Sequence, residues 1–212
     1  FYTAMMAKFR ICDLPYETVV FLDGDVLPLQ SLQPFLDGTI PFADALVMAW
    51  KVGPAHGGFF VVRPDKEMFA DMEALIMKQQ KGEGDAAWDT NFGWGDSLSE
   101  GWLNVHGKVG GNDRAFKGGH ADQGFLYWYF RFVRKSITIA LKDRVIEYSG
   151  DSEVGNDLSS EEVFGVLNTP MNGVVRVDGL PNVPPYNTFY HFTGKGKPWL
   201  KEAPKPTVAA TV

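Results

Sequence analysis

Apolar positions fall along the chain in short blocks whose spacing changes from one block to the next. Met5, Met6, Phe9 and Cys12 recur every three to four residues, which predicts a helix over Tyr2–Ile11 with these side chains on one face. Asp13-Leu-Pro15-Tyr ends it, because proline cannot continue a helix. Thr18-Val-Val-Phe-Leu22 follows as an unbroken β-branched and aromatic run, the pattern of a buried central strand. A short helix or turn is expected around Ser31 to Leu36, between Pro28 and Pro34, and further strands at Ala45–Trp50 and Gly57–Arg63. Asp65–Lys81 is the clearest helix: Met68, Met72, Leu75 and Ile76 share one face, and Asp65 after Pro64 is placed to cap it. Asp122 opens another helix, with an acidic first turn and an aromatic face from Phe125 onward. Short strands are expected at Ile137–Leu141, Val145–Tyr148 and Phe189–Phe192. Strands interleaved with helices predict an α/β fold, a mixed sheet flanked by helices.

Between these blocks the periodicity lapses. Gly82 to Gly119 is glycine-rich and carries Trp88, Trp94 and Trp102, and its length reads as a functional loop or an insertion. Its tryptophans either pack onto the body, the expectation with the larger weight, or stack on sugar rings. Ser149 to Glu162 is acidic and serine-rich, an exposed loop or a helix start. Residues 201–212 read as a tail or linker. One domain over 1–200 is therefore expected, with 82–119 as its loop or insertion.

A net charge of −6 and a pI near 5.2 argue against a nucleic-acid backbone as main partner. Cys12 is the only cysteine, which excludes an internal disulfide and a cysteine-based zinc cluster. No apolar run reaches the length of a membrane span. Phe1 stands where an initiator methionine would, so the chain reads as beginning inside a larger protein, and cytoplasm and Golgi lumen both stay open as its compartment.

The candidate chemistry starts where the strand at 18–22 stops, in Asp23-Gly24-Asp25. A bare Asp-x-Asp is expected about once by chance in a chain this rich in aspartate. Its position carries the information, because ligands in open α/β sheets sit beyond the carboxyl ends of strands. Residues two apart on an extended chain point to one side, so both carboxylates can face one hard cation such as Mn²⁺ or Mg²⁺, with Gly24 allowing close approach. The plainer reading, a turn or helix cap, stands at even weight. Asp122 can likewise be only a cap, and the two glycines at 57–58 either relieve a crowded backbone or bring it against a ligand. The loop Thr193-Gly194-Lys-Gly-Lys197 is suited to a phosphate and equally to a plain solvated turn.

Taken in order, these segments resemble the retaining glycosyltransferase family that includes glycogenin and galactinol synthase. The resemblance rests on Lys8 ahead of Phe-Leu-Asp23-Gly24-Asp25, then Gly57-Gly-Phe-Phe-Val-Val-Arg63-Pro, Asp122-Gln123-Gly-Phe-Leu, and His191-Phe-Thr-Gly194-Lys-Gly-Lys197-Pro-Trp199. It implies a nucleotide-diphospho-sugar transferase fold of type A, Rossmann-like, with the N-terminal strand of that fold falling before Phe1. Asp23, Asp25 and His191 would bind Mn²⁺, Lys197 and the Gly194 loop would hold the diphosphate, and Asp122 and Gln123 would face the donor sugar. Lys8, His56 and Gly57 would complete the donor site, His56 standing where the family commonly has an asparagine.

The expected activity is transfer of a hexose from a UDP-sugar, with retention, to an acceptor that is a carbohydrate, protein, inositol or lipid. A homodimer is compatible with it. The competing readings are a non-catalytic nucleotide-sugar or carbohydrate-binding relic of the same fold and a metal-dependent phosphohydrolase.

Overall fold

The computed structural model describes residues 6–29, 31–48, 55–81, 88–89, 93–94, 121–140, 145–150, 172–177 and 186–192. Within them the chain forms a mixed α/β fold. The expected first helix is a 3₁₀ helix, Ala7–Asp13. Met6, Phe9 and Cys12, each three residues from the next, are all buried. A spacing of three fits the 3₁₀ period of three residues per turn, which stacks them on one side. Strand β1 (Val19–Leu22) leads through a turn into β2 (Val26–Pro28), then α1 (Gln33–Leu36), β3 (Ala45–Met48), β4 (Phe59–Val62) and the long α2 (Lys66–Gln80). Asp65 caps α2 as its position predicts, its side chain accepting from the Glu67 N–H at 2.9 Å.

Five strands form the main sheet in the order β1-β4-β3-β7-β8, where β7 is Ser136–Ala140 and β8 is Val145–Ser149. Pairing is antiparallel except between β3 and β7. Successive residues of the inner strands enter different cores. Phe60, Val62, Ala45, Val47, Ile137 and Ile139 pack with the first helix and α2, whereas Phe59, Val61, Leu46 and Met48 pack with Phe35, Ile40 and Phe42. A sheet covered on both faces needs apolar side chains at every position, which is why these strands read as continuous runs.

The expectation that residues 18–22 form a central strand is corrected. Among the described residues β1 ends the sheet order, and its four residues are half-buried, while β3 and β4 are buried throughout. An apolar run reports that both faces are covered, and β1 does send Val19 and Phe21 to one core and Val20 and Leu22 to the other. It does not report a strand's rank within the sheet.

A second sheet, β2-β10-β9, uses Asn172–Val177 as β9 and Tyr186–Phe192 as β10. Strands β2 and β9 were not expected. Inside the segment read as a loop, Trp88–Asp89 (β5) and Gly93–Trp94 (β6) pair antiparallel. Trp94 is buried against Phe125 and stacked on Trp128, with ring centroids 4.6 and 5.3 Å away, so this tryptophan serves packing. Those partners lie on α3 (Asp122–Trp128), which continues as a π-helical turn over Tyr129–Val133. Arg134, just beyond, pairs with Asp44 before β3 and with Asp65 at the start of α2, at 3.0 and 3.3 Å.

Candidate functional site

The antiparallel register of β1 and β4 sets up the site. Leu22 pairs with Phe59, so the next step of the ladder brings Asp23 beside Gly58, and the Asp23 N–H donates to the Gly58 carbonyl at 2.9 Å. The chain then reverses, the Val26 N–H donating to the Asp23 carbonyl at 3.0 Å. Asp23 and Asp25 therefore flank Gly24 in a tight turn. The alternation rule invoked for them applies to extended backbone and does not describe this geometry. Gly24 has open space around it, with nothing within 4 Å of where a side chain would begin.

Lys8 joins the parts. Its ammonium donates to Asp23 Oδ1 at 3.3 Å, to the Gly57 carbonyl at 2.8 Å and to Asp122 Oδ2 at 2.5 Å. One cation thus ties the first helix to the end of β1, the approach to β4 and the start of α3. The ammonium also lies 4.9 Å from the centre of the Phe21 ring, a favourable distance for a cation over an aromatic face. Its side chain is 10% exposed, so the pairing is formed largely out of water. Asp122 is not a helix cap: the cap position is Ala121, no side chain caps this helix, and the Asp122 carboxylate is spent on Lys8.

Gly57 and Gly58 are crowded by the site residues themselves. A Cβ on Gly57 would lie 2.5 Å from Asp122 Oδ2 and 2.9 Å from Gln123 Cγ, and one on Gly58 would lie 2.8 Å from His56 Cε1 and 3.2 Å from Asp23 Oδ2. His56 is buried, and its Nδ1 accepts from the Gly58 N–H at 3.1 Å. As an acceptor Nδ1 carries no proton, so the ring proton sits on Nε2. Burial raises the Asp23 carboxyl above its ordinary value, Lys8 pulls it back in part, and the neighbouring charges of Asp122 and Asp25 raise it further. A partly desolvated carboxylate with two like-charged neighbours gains from an additional cation.

The described residues therefore bring together Lys8, Asp23, His56, Gly57, Asp122 and Gln123, with Gly24 and Asp25 in the adjoining turn. His191 is reached through backbone pairing: β10 places it opposite Val26, and the Phe192 N–H donates to the Asp25 carbonyl at 2.9 Å. The His191 side chain, Gly194 and Lys197 lie outside the described residues. Sequence reasoning did not single out Phe21 as a site neighbour. Its period-two relation to Asp23 was the available signal, since both point to the Lys8 side of β1.

Asp23 and Asp25 offer hard oxygen donors of the kind Mn²⁺ and Mg²⁺ take, at the two ends of one turn. Among the described residues no group of three or more His, Cys, Asp or Glu side chains is assembled to hold an ion. Two protein carboxylates leave most of a coordination shell to ligand oxygens and to residues beyond the described ones. An apolar groove between the first helix and α2, lined by Met6, Phe9, Arg10, Phe69, Ile76 and Met77, does not include any of these acidic residues.

Comparison of the chain with profiles of known protein families, with curated proteins and with solved structures returned no match. Among the described residues no helix is long and apolar enough to cross a membrane.

Proposed function

We propose that this chain is the catalytic domain of a retaining hexosyltransferase, of the type A nucleotide-diphospho-sugar transferase fold, that takes a UDP-sugar with Mn²⁺ or Mg²⁺ and serves a carbohydrate, protein, inositol or lipid acceptor. The observation that carries this reading is the three-way bond of the Lys8 ammonium to Asp23, Gly57 and Asp122. These four residues come from four separate segments, each part of a motif on which the resemblance to the glycogenin family rests. The mixed sheet and the backbone pairing of His191 beside the Asp25 turn are consistent with it.

In this reading Asp23 and Asp25 hold the divalent ion, with His191 as the nitrogen ligand. The ion supplies charge stabilisation for the departing diphosphate. Lys197 would bind that diphosphate. The bond between the anomeric carbon and the phosphate oxygen breaks, its electron pair leaving with UDP, while the acceptor hydroxyl oxygen bonds to the same face of the carbon. The acceptor proton passes to the departing phosphate. Asp122, paired with Lys8, faces the donor sugar and stabilises positive charge developing at the ring. With Oδ2 committed to an ammonium, Asp122 is better suited to this electrostatic role than to forming a covalent intermediate.

The test is a panel of UDP-sugars offered to the full-length protein with Mn²⁺, reading UDP release and the anomeric configuration of the product. One donor should be turned over with retention, and Asp122→Asn should lower kcat by roughly a hundredfold or more with Mn²⁺ and UDP affinity nearly unchanged. Absence of UDP binding under every metal condition would remove the transferase reading.

A further inference from the structure

The Lys8 ammonium has three hydrogens, and three acceptors take them: Asp122 Oδ2 at 2.5 Å, the Gly57 carbonyl at 2.8 Å and Asp23 Oδ1 at 3.3 Å. Phe21 lies against the same group, and only 10% of the side chain is exposed. A ligand entering the site therefore meets a lysine whose donors are all spent. The three bonds are unequal. Charge-assisted bonds from N–H to carboxylate run at about 2.7–2.9 Å, so the contact with Asp23 is a long one, and the Asp23 side chain is 38% exposed to water that can replace it. The Asp122 side chain is only 12% exposed. Its Oδ2 is enclosed between the ammonium and the bare Cα of Gly57, where a Cβ would lie 2.5 Å away. Its Oδ1 accepts no hydrogen bond from any described residue. One carboxylate oxygen is thus anchored, and the other is left to take a donor.

From this asymmetry we infer that Lys8 is a positioning residue that acts on the reaction through Asp122: it anchors Oδ2 and so presents Oδ1 to a hydroxyl of the donor sugar, without touching the donor itself. The inference rests on the proposed reading of Asp122 as the group facing that sugar. An ionised carboxylate only accepts, and a sugar hydroxyl is a donor it can take. Without the ammonium the Asp122 carboxylate loses both its counter-ion and its fixed direction. The turn that carries Asp23 keeps its own backbone bonds, from the Asp23 N–H to the Gly58 carbonyl and from the Val26 N–H to the Asp23 carbonyl. Nucleotide binding at that turn is therefore spared, and the loss falls on the step in which the sugar reacts.

The test follows hydrolysis of UDP-glucose, UDP-galactose, UDP-xylose and UDP-glucuronic acid by the full chain with Mn²⁺, water serving as acceptor, beside isothermal titration of UDP. Lys8→Met should lower kcat about tenfold or more while UDP affinity stays within about threefold of the parent. In an Asp122→Asn background the same change should alter kcat by less than about threefold, because the residue it acts through is already disabled. A larger loss in that background means that Lys8 touches the donor or works through Asp23, and it overturns the inference. Unchanged kcat in Lys8→Met, or UDP affinity that falls in step with kcat, overturns it as well. If Lys8→Met does not fold, Asp122→Asn is compared with the double variant, in which position 122 carries no charge to leave unpaired. Equal kcat in those two supports the inference, and a lower one in the double variant overturns it. A parent that releases UDP from none of the four donors also overturns it. UDP binding with Mn²⁺ in that parent would leave the nucleotide site standing, and its absence would remove the transferase reading too.

Discussion

Gly57→Ala tests the packing of the site without touching any of its charges. The added methyl would sit 2.5 Å from Asp122 Oδ2, 2.9 Å from Gln123 Cγ and 3.1 Å from Asp122 Cγ. Separations this short are not tolerated, and the obstacle is the side chains of Asp122 and Gln123 at the start of α3, the first of them held by Lys8. Either Asp122 turns away from Lys8 or α3 moves. Overpacking of this kind costs about 1–3 kcal/mol, and a charge-assisted hydrogen bond is worth about 1.5–3 kcal/mol. Partial relaxation makes the two less than additive, so a loss of about 2–4 kcal/mol is expected. For a chain of this size that lowers Tm by roughly 5–15 °C. Thermal and urea unfolding followed by circular dichroism measure it. Gly24→Ala is the control: its methyl meets nothing within 4 Å and should change stability by no more than about 0.5 kcal/mol. In an Asp122→Ala background, which removes the obstructing oxygen, Gly57→Ala should become milder by about 1 kcal/mol or more. A Gly57→Ala protein as stable as the Gly24→Ala control would refute the reasoning.

Other outcomes follow from individual contacts. Because the folded protein holds the Asp23 proton more tightly than the unfolded chain does, ionising Asp23 opposes folding, and metal-free stability falls as pH rises through its raised pKa. Asp23→Asn should therefore raise the metal-free Tm at neutral pH, and an unchanged or lowered Tm counts against that electrostatic account. Cys12, whose thiol is pushed up to about 12 first by burial and then by Asp65, should resist a thiol-specific reagent at pH 8 in the native protein and react once unfolded. Trp94→Ala removes a buried ring stacked on Trp128 and set against Phe125; it should cost about 3–5 kcal/mol in urea unfolding, and a cost below about 1 kcal/mol would reopen a sugar-stacking role. Lys197→Ala should lower transfer turnover with little change in stability, since replacing a lysine in a glycine-rich segment removes little apolar side chain; wild-type turnover would remove Lys197 from the donor site.

The parts of the fold legible in the sequence were those set by local periodicity. Met68, Met72 and Ile76 line the buried side of α2, and the runs at 45–48 and 59–62 are strands covered on both faces. What local pattern does not encode is partnership. Strand β2 is three residues long, with Leu27 and Pro28 exposed, and exists because β10 pairs with it. Trp94 and Trp88 pair in antiparallel strands inside a glycine-rich stretch that carries no strand periodicity. The rank of β1 at the end of the sheet order depends on contacts far along the chain. At the site, Asp23, Lys8 and Asp122 were singled out from position and resemblance, but their meeting at one ammonium is a tertiary fact. The spacing of the two glycines gave a partial sign of it, since such residues stand where neighbours crowd the backbone.

The central claim is that the Asp23–Asp25 turn and its Lys8 partner form a nucleotide diphosphate site that works through a divalent ion. Isothermal titration of UDP into the full-length protein, with Mn²⁺, without it, and with Mn²⁺ into Asp25→Asn, tests this most directly. The account predicts UDP binding with Mn²⁺ that weakens about a hundredfold or more when either the ion or the Asp25 carboxylate is removed, the loss of a charge–metal contact. UDP binding equally tight in all three titrations would contradict it.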